Sequence, residues 1–308
     1  MNKLLVISLS ILTMLSMLLT GCLGPSIQTA ATLVPERADA IANVKIAEIL
    51  DDEDISDLYA CIAAMDPYAP QTLSLALDEF RDETGVDLRY FNEAVLFVDT
   101  STIEATVPYV GAIVECNIPT KQVFEILRQL GIKNYKTYAY GYEIYGLEDD
   151  INVTFLSSRL VAVGPRNVVL DIIDVSTGRS RPIGRQLYDL NESLGNSLVK
   201  AVSKVPPSVS QELPIEIPLD MAAGTLDKDG LTMYLQLQLY FASSSIASDS
   251  EDVIQEFIAG VKHIYPQPEI WNMLNKVEVV TYDSQVSVQA EATVDEVKDL
   301  INVLKNIL

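Results

Sequence analysis

The sequence predicts an α+β fold built as two tandem, similar lobes, each an antiparallel sheet with helices packed on one face. Three observations carry this. Short stretches rich in Val, Ile and aromatics alternate in hairpin-like pairs. Between them lie segments with apolar residues three and four apart, as amphipathic helices require. Finally, one element order, strand-strand-helix-strand-strand-helix, describes 221–308 and, with one extra hairpin, 93–176. Repeats of about 90 residues are too long for a solenoid, whose period is 20 to 50.

Taken in chain order, residues 1–21 stand apart. Lys3 is their only charge, and Leu4 to Leu19 run apolar apart from Ser8, Ser10, Thr13 and Ser16, the profile of a signal peptide. Such a run reaches about 24 Å as a helix, short of the ~30 Å hydrocarbon core that a spanning helix crosses. At its end, Leu19-Thr20-Gly21-Cys22 resembles the lipobox of prokaryotic lipoproteins. The resemblance implies that the Cys22 thiol receives diacylglycerol, that cleavage precedes it, and that Cys22 becomes the N-terminus. It further implies an extracytoplasmic site, on the cell membrane or, in a two-membrane cell, the outer membrane. Stable anchoring takes two or more acyl chains, so the membrane partner is reached through the N-terminal lipid rather than a span.

Residues 22–35 carry Gly24, Pro25 and Pro35 without a sustained apolar period and read as a tether. The first lobe, 36–177, opens with a strand over Ala38 to Ile46. Helices follow over Ile55 to Met65 and Thr72 to Thr84, separated by the Asp66 to Pro70 breaker. Ala94 to Val98 and Tyr109 to Cys116 read as strands. Lys121 to Leu130 reads as a helix with Thr120 as N-cap and Gly131 as stop. Tyr135 to Tyr140, Tyr142 to Leu147, Ile151 to Ser157 and Arg159 to Gly164 are four short strands, closed by a helix over Asn167 to Ser176.

Gly178 to Arg185 has no apolar period and reads as a linker into the second lobe, 186–308. There Met221 to Leu226 and Leu231 to Phe241 are strands joined at Asp227 to Gly230. Ser248 to Ile264 is a helix with a Ser248/Glu251 capping box. Lys276 to Tyr282 and Gln285 to Ala292 form another hairpin, and Thr293 with Glu296 caps a final helix to Leu308. The element order, with Val34-Pro35 and the Gly85-Val86-Asp87 before a strand, resembles uncharacterised two-repeat secreted proteins of unknown function, a likeness that carries no chemistry.

The chain has 21 Lys plus Arg against 43 Asp plus Glu, a formal charge of −22, and loss of residues 1–21 removes one basic residue and no acidic one. Such a surface repels nucleic acid, whose binding needs cations against phosphate. With Cys22 lipidated, Cys61 and Cys116 are left. Both lie in apolar runs, as buried thiols do, although an exported compartment permits pairing.

No catalytic constellation emerges. His263 is the only His, with no second His or Cys at a metal-ligand spacing, and neither the Gly-x-Ser-x-Gly elbow of serine hydrolases nor a glycine-rich phosphate loop occurs. Asp51-Asp52-Glu53-Asp54, Glu148-Asp149-Asp150 and Asp249 with Glu251 and Asp252 sit at expected turns or helix starts, which favour acidic residues without function. Asp227-Lys228-Asp229-Gly230 starts like a calcium loop but lacks its later oxygen ligands. No cofactor, metal site or catalytic residue is therefore expected. Tyr138, Tyr140 and Tyr142 would share one face of an extended chain, either an aromatic platform for a glycan or protein partner or a half-buried hairpin. Arg179, Arg181 and Arg185 are a local basic point or a solvated linker. The leading expectation is an acidic, lipid-anchored envelope protein with a non-enzymatic binding or scaffold role. A carrier of a lipid or other apolar ligand between sheet and helices comes next, and a carboxylate-based glycan hydrolase third.

Overall fold

The computed structural model describes residues 28–66, 68–84, 87–103, 105–117, 136–146, 151–205 and 219–307. Its strands are β1 (Ala40–Val44), β2 (Phe91–Val98), β3 (Val110–Cys116), β4 (Lys136–Ala139), β5 (Tyr142–Gly146) and β6 (Ile151–Phe155). They continue with β7 (Leu160–Pro165), β8 (Val199–Lys204), β9 (Met221–Asp229), β10 (Thr232–Tyr240), β11 (Glu278–Tyr282) and β12 (Gln285–Thr293). All join one antiparallel sheet in the order β11-β12-β10-β9-β8-β1-β2-β3-β7-β6-β5-β4.

Where two lobes were expected, the sheet runs unbroken through both halves. The seam is β1, which pairs with β2 on one side and β8 on the other, Ile41 lying between Phe97 and Val202. Outward from that central pair the order reads β1-β2-β3-β7-β6 one way and β8-β9-β10-β12-β11 the other, with the β4–β5 hairpin extra.

The helices are α1 (Gln28–Ala31), α2 (Ile46–Leu50), α3 (Glu53–Ala63), α4 (Leu73–Thr84) and α5 (Arg166–Ser176). After them come α6 (Arg185–Ser193), α7 (Ser244–Ile264), α8 (Pro268–Asn275) and α9 (Val294–Ile307). They cover both faces of the sheet, not one. On the α5 face, Ile41, Val95, Phe97, Ile113 and Val202 pack against Ala30, Val34, Val168, Ile172 and Leu187. On the α3 face, Val44, Ala94 and Leu96 meet Ile49, Ile55, Leu58, Leu77 and Val294, while α7 sets Ala247 and Ile254 against Val286. The reason lies in the central strands: Ala94-Val95-Leu96-Phe97 is apolar at both parities, so each face carries surface that must leave water. Burying each large aliphatic side chain contributes about 1.5–3 kcal/mol.

Two segments read as connectors belong to the core. Ala30, Ala31 and Val34 are buried, so packing starts before Glu36. Ile183, inside the expected linker, is also buried and donates its amide to Val34 O at 2.7 Å, and Pro35 bridges Pro182. α7 begins earlier than its expected capping box: Ser243 is the N-cap, its hydroxyl accepting from the Ile246 amide at 3.4 Å. At α9 the capping box forms as expected, the Glu296 carboxylate accepting from the Thr293 amide at 2.8 Å and the Thr293 hydroxyl from the Glu296 amide at 3.2 Å. The expected helix at 121–130, and the calls on Cys22, Tyr135 and Glu148 to Asp150, lie outside the described residues.

Candidate functional site

Small residues recur at alternate positions on neighbouring strands: Ala40 and Ala42 on β1, Ala201 and Ser203 on β8, Ala222 and Gly224 on β9. Register aligns them into two rows, Ala40–Ser203–Ala222 and Ala42–Ala201–Gly224. Larger side chains stand at both ends of the rows, Leu96, Val98 and Val110 on one side and Leu237 and Leu239 on the other. Short side chains flanked by long ones make a trough, here of about 340 Å³ and open to solvent. It lies on the α3 face, between the α3 cluster, which Leu96 also joins, and the α7 cluster, which Leu239 joins. Its lining holds one hydroxyl, Ser203, and no charge. Val110 and Leu237 are 40% and 38% exposed there.

The sequence signal for this trough was a small-x-small pair in three separate strands, which becomes meaningful only once the strands are known to be neighbours. Gly224 is part of the fit: a Cβ built there would stand 3.1 Å from Leu237 Cδ2.

The tyrosines do not form one platform. The chain reverses at Tyr140-Gly141, so Tyr138 falls opposite Glu143 and Tyr142 opposite Ala139, on alternate register positions. Tyr142 is half-buried against the Ile144, Val169 and Ile173 cluster. Tyr145, which hydrogen-bonds Glu143, is buried edge-on to Phe155. Tyr140 is plainly exposed, and the Arg179 guanidinium lies over its ring, 3.0 Å from the centroid. Two features noted separately in the sequence thus meet.

A polar cluster sits on the α5 face at the other end of the central strands. Glu93 and Glu115 face each other across β2 and β3, near Asn43, Lys45 and Lys200, all three of which are buried. Burial, with the like charge of Glu115, pushes the Glu93 carboxyl up to about 7, against the pull of both lysines. Burial likewise lowers the Lys200 ammonium, whose Nζ donates to Gly195 O at 3.0 Å. Among the described residues, Asn43 Oδ1 and both amide atoms of Asn191, on the overlying α6, have no hydrogen-bond partner.

Other singled-out groups have structural settings. Asp52 caps α3, and Lys228 Nζ reaches both Asp52 and Asp54 at 2.6 Å, tying β9 to that helix. His263 is exposed on α7. Cys61 and Cys116 are both free, and burial pushes the Cys116 thiol up to about 11, so it is inert. No cluster of His, Cys, Asp and Glu fit for a metal occurs among the described residues, and no helix there is long and apolar enough to cross a membrane.

No family model and no curated protein matches the sequence. Solved structures do. Crystal form III of TP0453 superposes with a TM-score of 0.52 at 11% identity, covering 90% of this chain and 98% of that one. Form IV gives 0.51 at 10% identity, with 90% and 96% covered. The chain shares the TP0453 fold. At this identity the likeness is one of architecture, a mixed helix and sheet chain around a large antiparallel sheet.

Proposed function

We propose that this chain is a non-enzymatic, lipid-anchored binding protein of the cell envelope, tethered through Cys22, whose trough shelters the apolar part of a ligand. The anchor rests on the Leu19-Thr20-Gly21-Cys22 pattern, and the trough carries the ligand reading. An uncharged depression left open to water costs hydrophobic free energy that an apolar occupant recovers. The trough crosses β3, β2, β1, β8, β9 and β10, six strands or about 24 Å at ~4.8 Å per step, room for an extended hydrocarbon chain. The carboxylate pair Glu93 and Glu115 lies on the opposite face beneath α6, and no carboxylate lines the trough.

A dansyl-tagged undecanoate titrated into the full chain tests the reading. Wild type should give saturable, blue-shifted fluorescence. Ala201→Phe, which fills the trough floor, and Leu237→Ser, which lowers its wall, should each weaken binding at least tenfold while melting cooperatively. Unsaturable fluorescence in the wild type, or unchanged affinity in both folded variants, would contradict it.

A further inference from the structure

Connections that face water are usually built from Gly, Pro, Asp, Asn and Ser. The one from β2 to β3 departs from this. Residues 100–110 carry a single charge, Glu104, in a chain that is 21% charged overall. Ile103 is 55% exposed, Val107 52% and Val110 40%. One exposed aliphatic is ordinary, but three within eight residues of a single connection ask for a partner.

The root of this connection is firmly held. The Thr100 amide donates to Asp39 Oδ1 at 2.8 Å, and the Tyr109 amide to Thr102 Oγ1 at 2.8 Å. Arg37 lies over the Tyr109 ring, 4.3 Å from its centroid, and binds Asp99 at 2.9 Å. The apolar side chains therefore stand on a fixed base at one end of the sheet. The trough reaches that same end, because Ala40 pairs with Val98 and Val98 with Val110. Val110 belongs to both, heading β3 and lining the trough.

The tether decides what the connection meets. α1 packs on β3, with Ala30 and Ala31 in the cluster that holds Tyr109. Six residue steps separate Cys22 from Gln28, at most about 20 Å of extended chain. A bilayer holding the Cys22 lipid therefore stays close to the β3 side of the molecule. Tyr282, exposed at the same end of the sheet, stands on β11, seven strand steps or about 34 Å from β3, beyond that reach. A chain of formal charge −22 gains nothing from anionic headgroups, so apolar contact is the means open to it.

We infer that the β2–β3 connection is a membrane-contact tip, with Ile103, Val107 and Val110 entering the surface of a lipid bilayer and seating the mouth of the trough against it. The inference rests on the anchor and trough proposed above and adds the surface that orients them. Seated so, the trough exchanges an apolar ligand with the bilayer without exposing it to water.

The test uses the full chain, with its Cys22 lipid, in phosphatidylcholine vesicles. The Cys116 thiol is buried and inert, so Val107→Cys in a Cys61→Ser background takes one environment-sensitive NBD label. Its emission should shift to the blue, and fall at least twofold when the vesicles carry doxyl-labelled phosphatidylcholine. A label at Asp229→Cys in the same background, exposed in the β9–β10 turn at the opposite strand ends, should show neither change. Adding Ile103→Asp to the Val107 variant should at least halve the quenching and leave the melting temperature unchanged. Vesicle flotation separates the tip from the anchor. A chain that floats while its 107 label is quenched no more than the 229 label, or whose quenching survives Ile103→Asp, overturns the tip and leaves the anchor standing. A chain that stays in the buffer refutes the anchor, and the tip falls with it.

Discussion

Replacing Glu93 by Gln should stabilise the fold at alkaline pH and leave it unchanged in acid. Burial holds the folded carboxyl at about 7 against an ordinary 4.5, so between those values the folded chain keeps a proton that the unfolded chain has released. Stability therefore falls as pH rises from about 4.5 through about 7, and the contribution is fully present only below that window. At about 1.4 kcal/mol per pH unit the ceiling is about 3 kcal/mol. Partial solvent access to Glu93 reduces the effect to about 2 kcal/mol, and Gln preserves an acceptor for the Asn43 amide. Denaturant melts of both proteins at half-unit steps from pH 4 to 8.5 read this directly. The difference should grow with pH, reach about 2 kcal/mol by pH 8, and leave the denaturant slope unchanged. A difference that stayed flat with pH, or one favouring the wild type at pH 8, would refute the account of the buried pair.

Two further substitutions probe the joints of the fold. Gly111→Ala should lower stability by about 1–3 kcal/mol in a thermal melt, because the new Cβ would stand 2.5 Å from Phe97 Cζ and 2.6 Å from Val168 Cγ1 under α5. Lys228→Met should cost about 1–3 kcal/mol in a denaturant melt, since it leaves Asp52 and Asp54 facing each other without the ammonium that joins β9 to α3.

Local structure was legible where the periodicity was plain. The β9–β10 and β11–β12 hairpins, α3, α4, α5 and α9 appear within a few residues of their expected places, because alternation and helical spacing are written in contiguous residues. What failed were the inferences about neighbours. Two apolar parities in Ala94 to Phe97 mark a strand buried on both faces, against the single covered face expected from the element order. β8 has no plain apolar alternation in sequence, because Lys200 and Lys204 interrupt it, although Lys200 is buried beside Glu93. α6 carries Leu187, Tyr188 and Leu190 among polar residues, too thin a stripe to stand out. Nothing local told Ile41 that Phe97 and Val202 would flank it, and that pairing turns two sets of strands into one sheet.

The candidate site follows the same rule. Ala40, Ala42, Ala201, Ala222 and Gly224 are unremarkable in sequence, and only strand order assembles them into a trough. Tyr140 and Arg179 were each noticeable alone, but the reversal at Gly141 separates Tyr140 from the other tyrosines and leaves it with the arginine. Residue type supplied the chemistry and topology supplied the grouping.

The most direct test of the central claim compares native with denaturing mass spectra of the full chain gently extracted from its own envelope. The account predicts a denatured mass that begins at an acylated Cys22, and a native mass carrying an additional apolar molecule that Ala201→Phe does not retain. An unmodified N-terminus would contradict the anchor, and identical native and denatured masses in the wild type would contradict the trough as a ligand site.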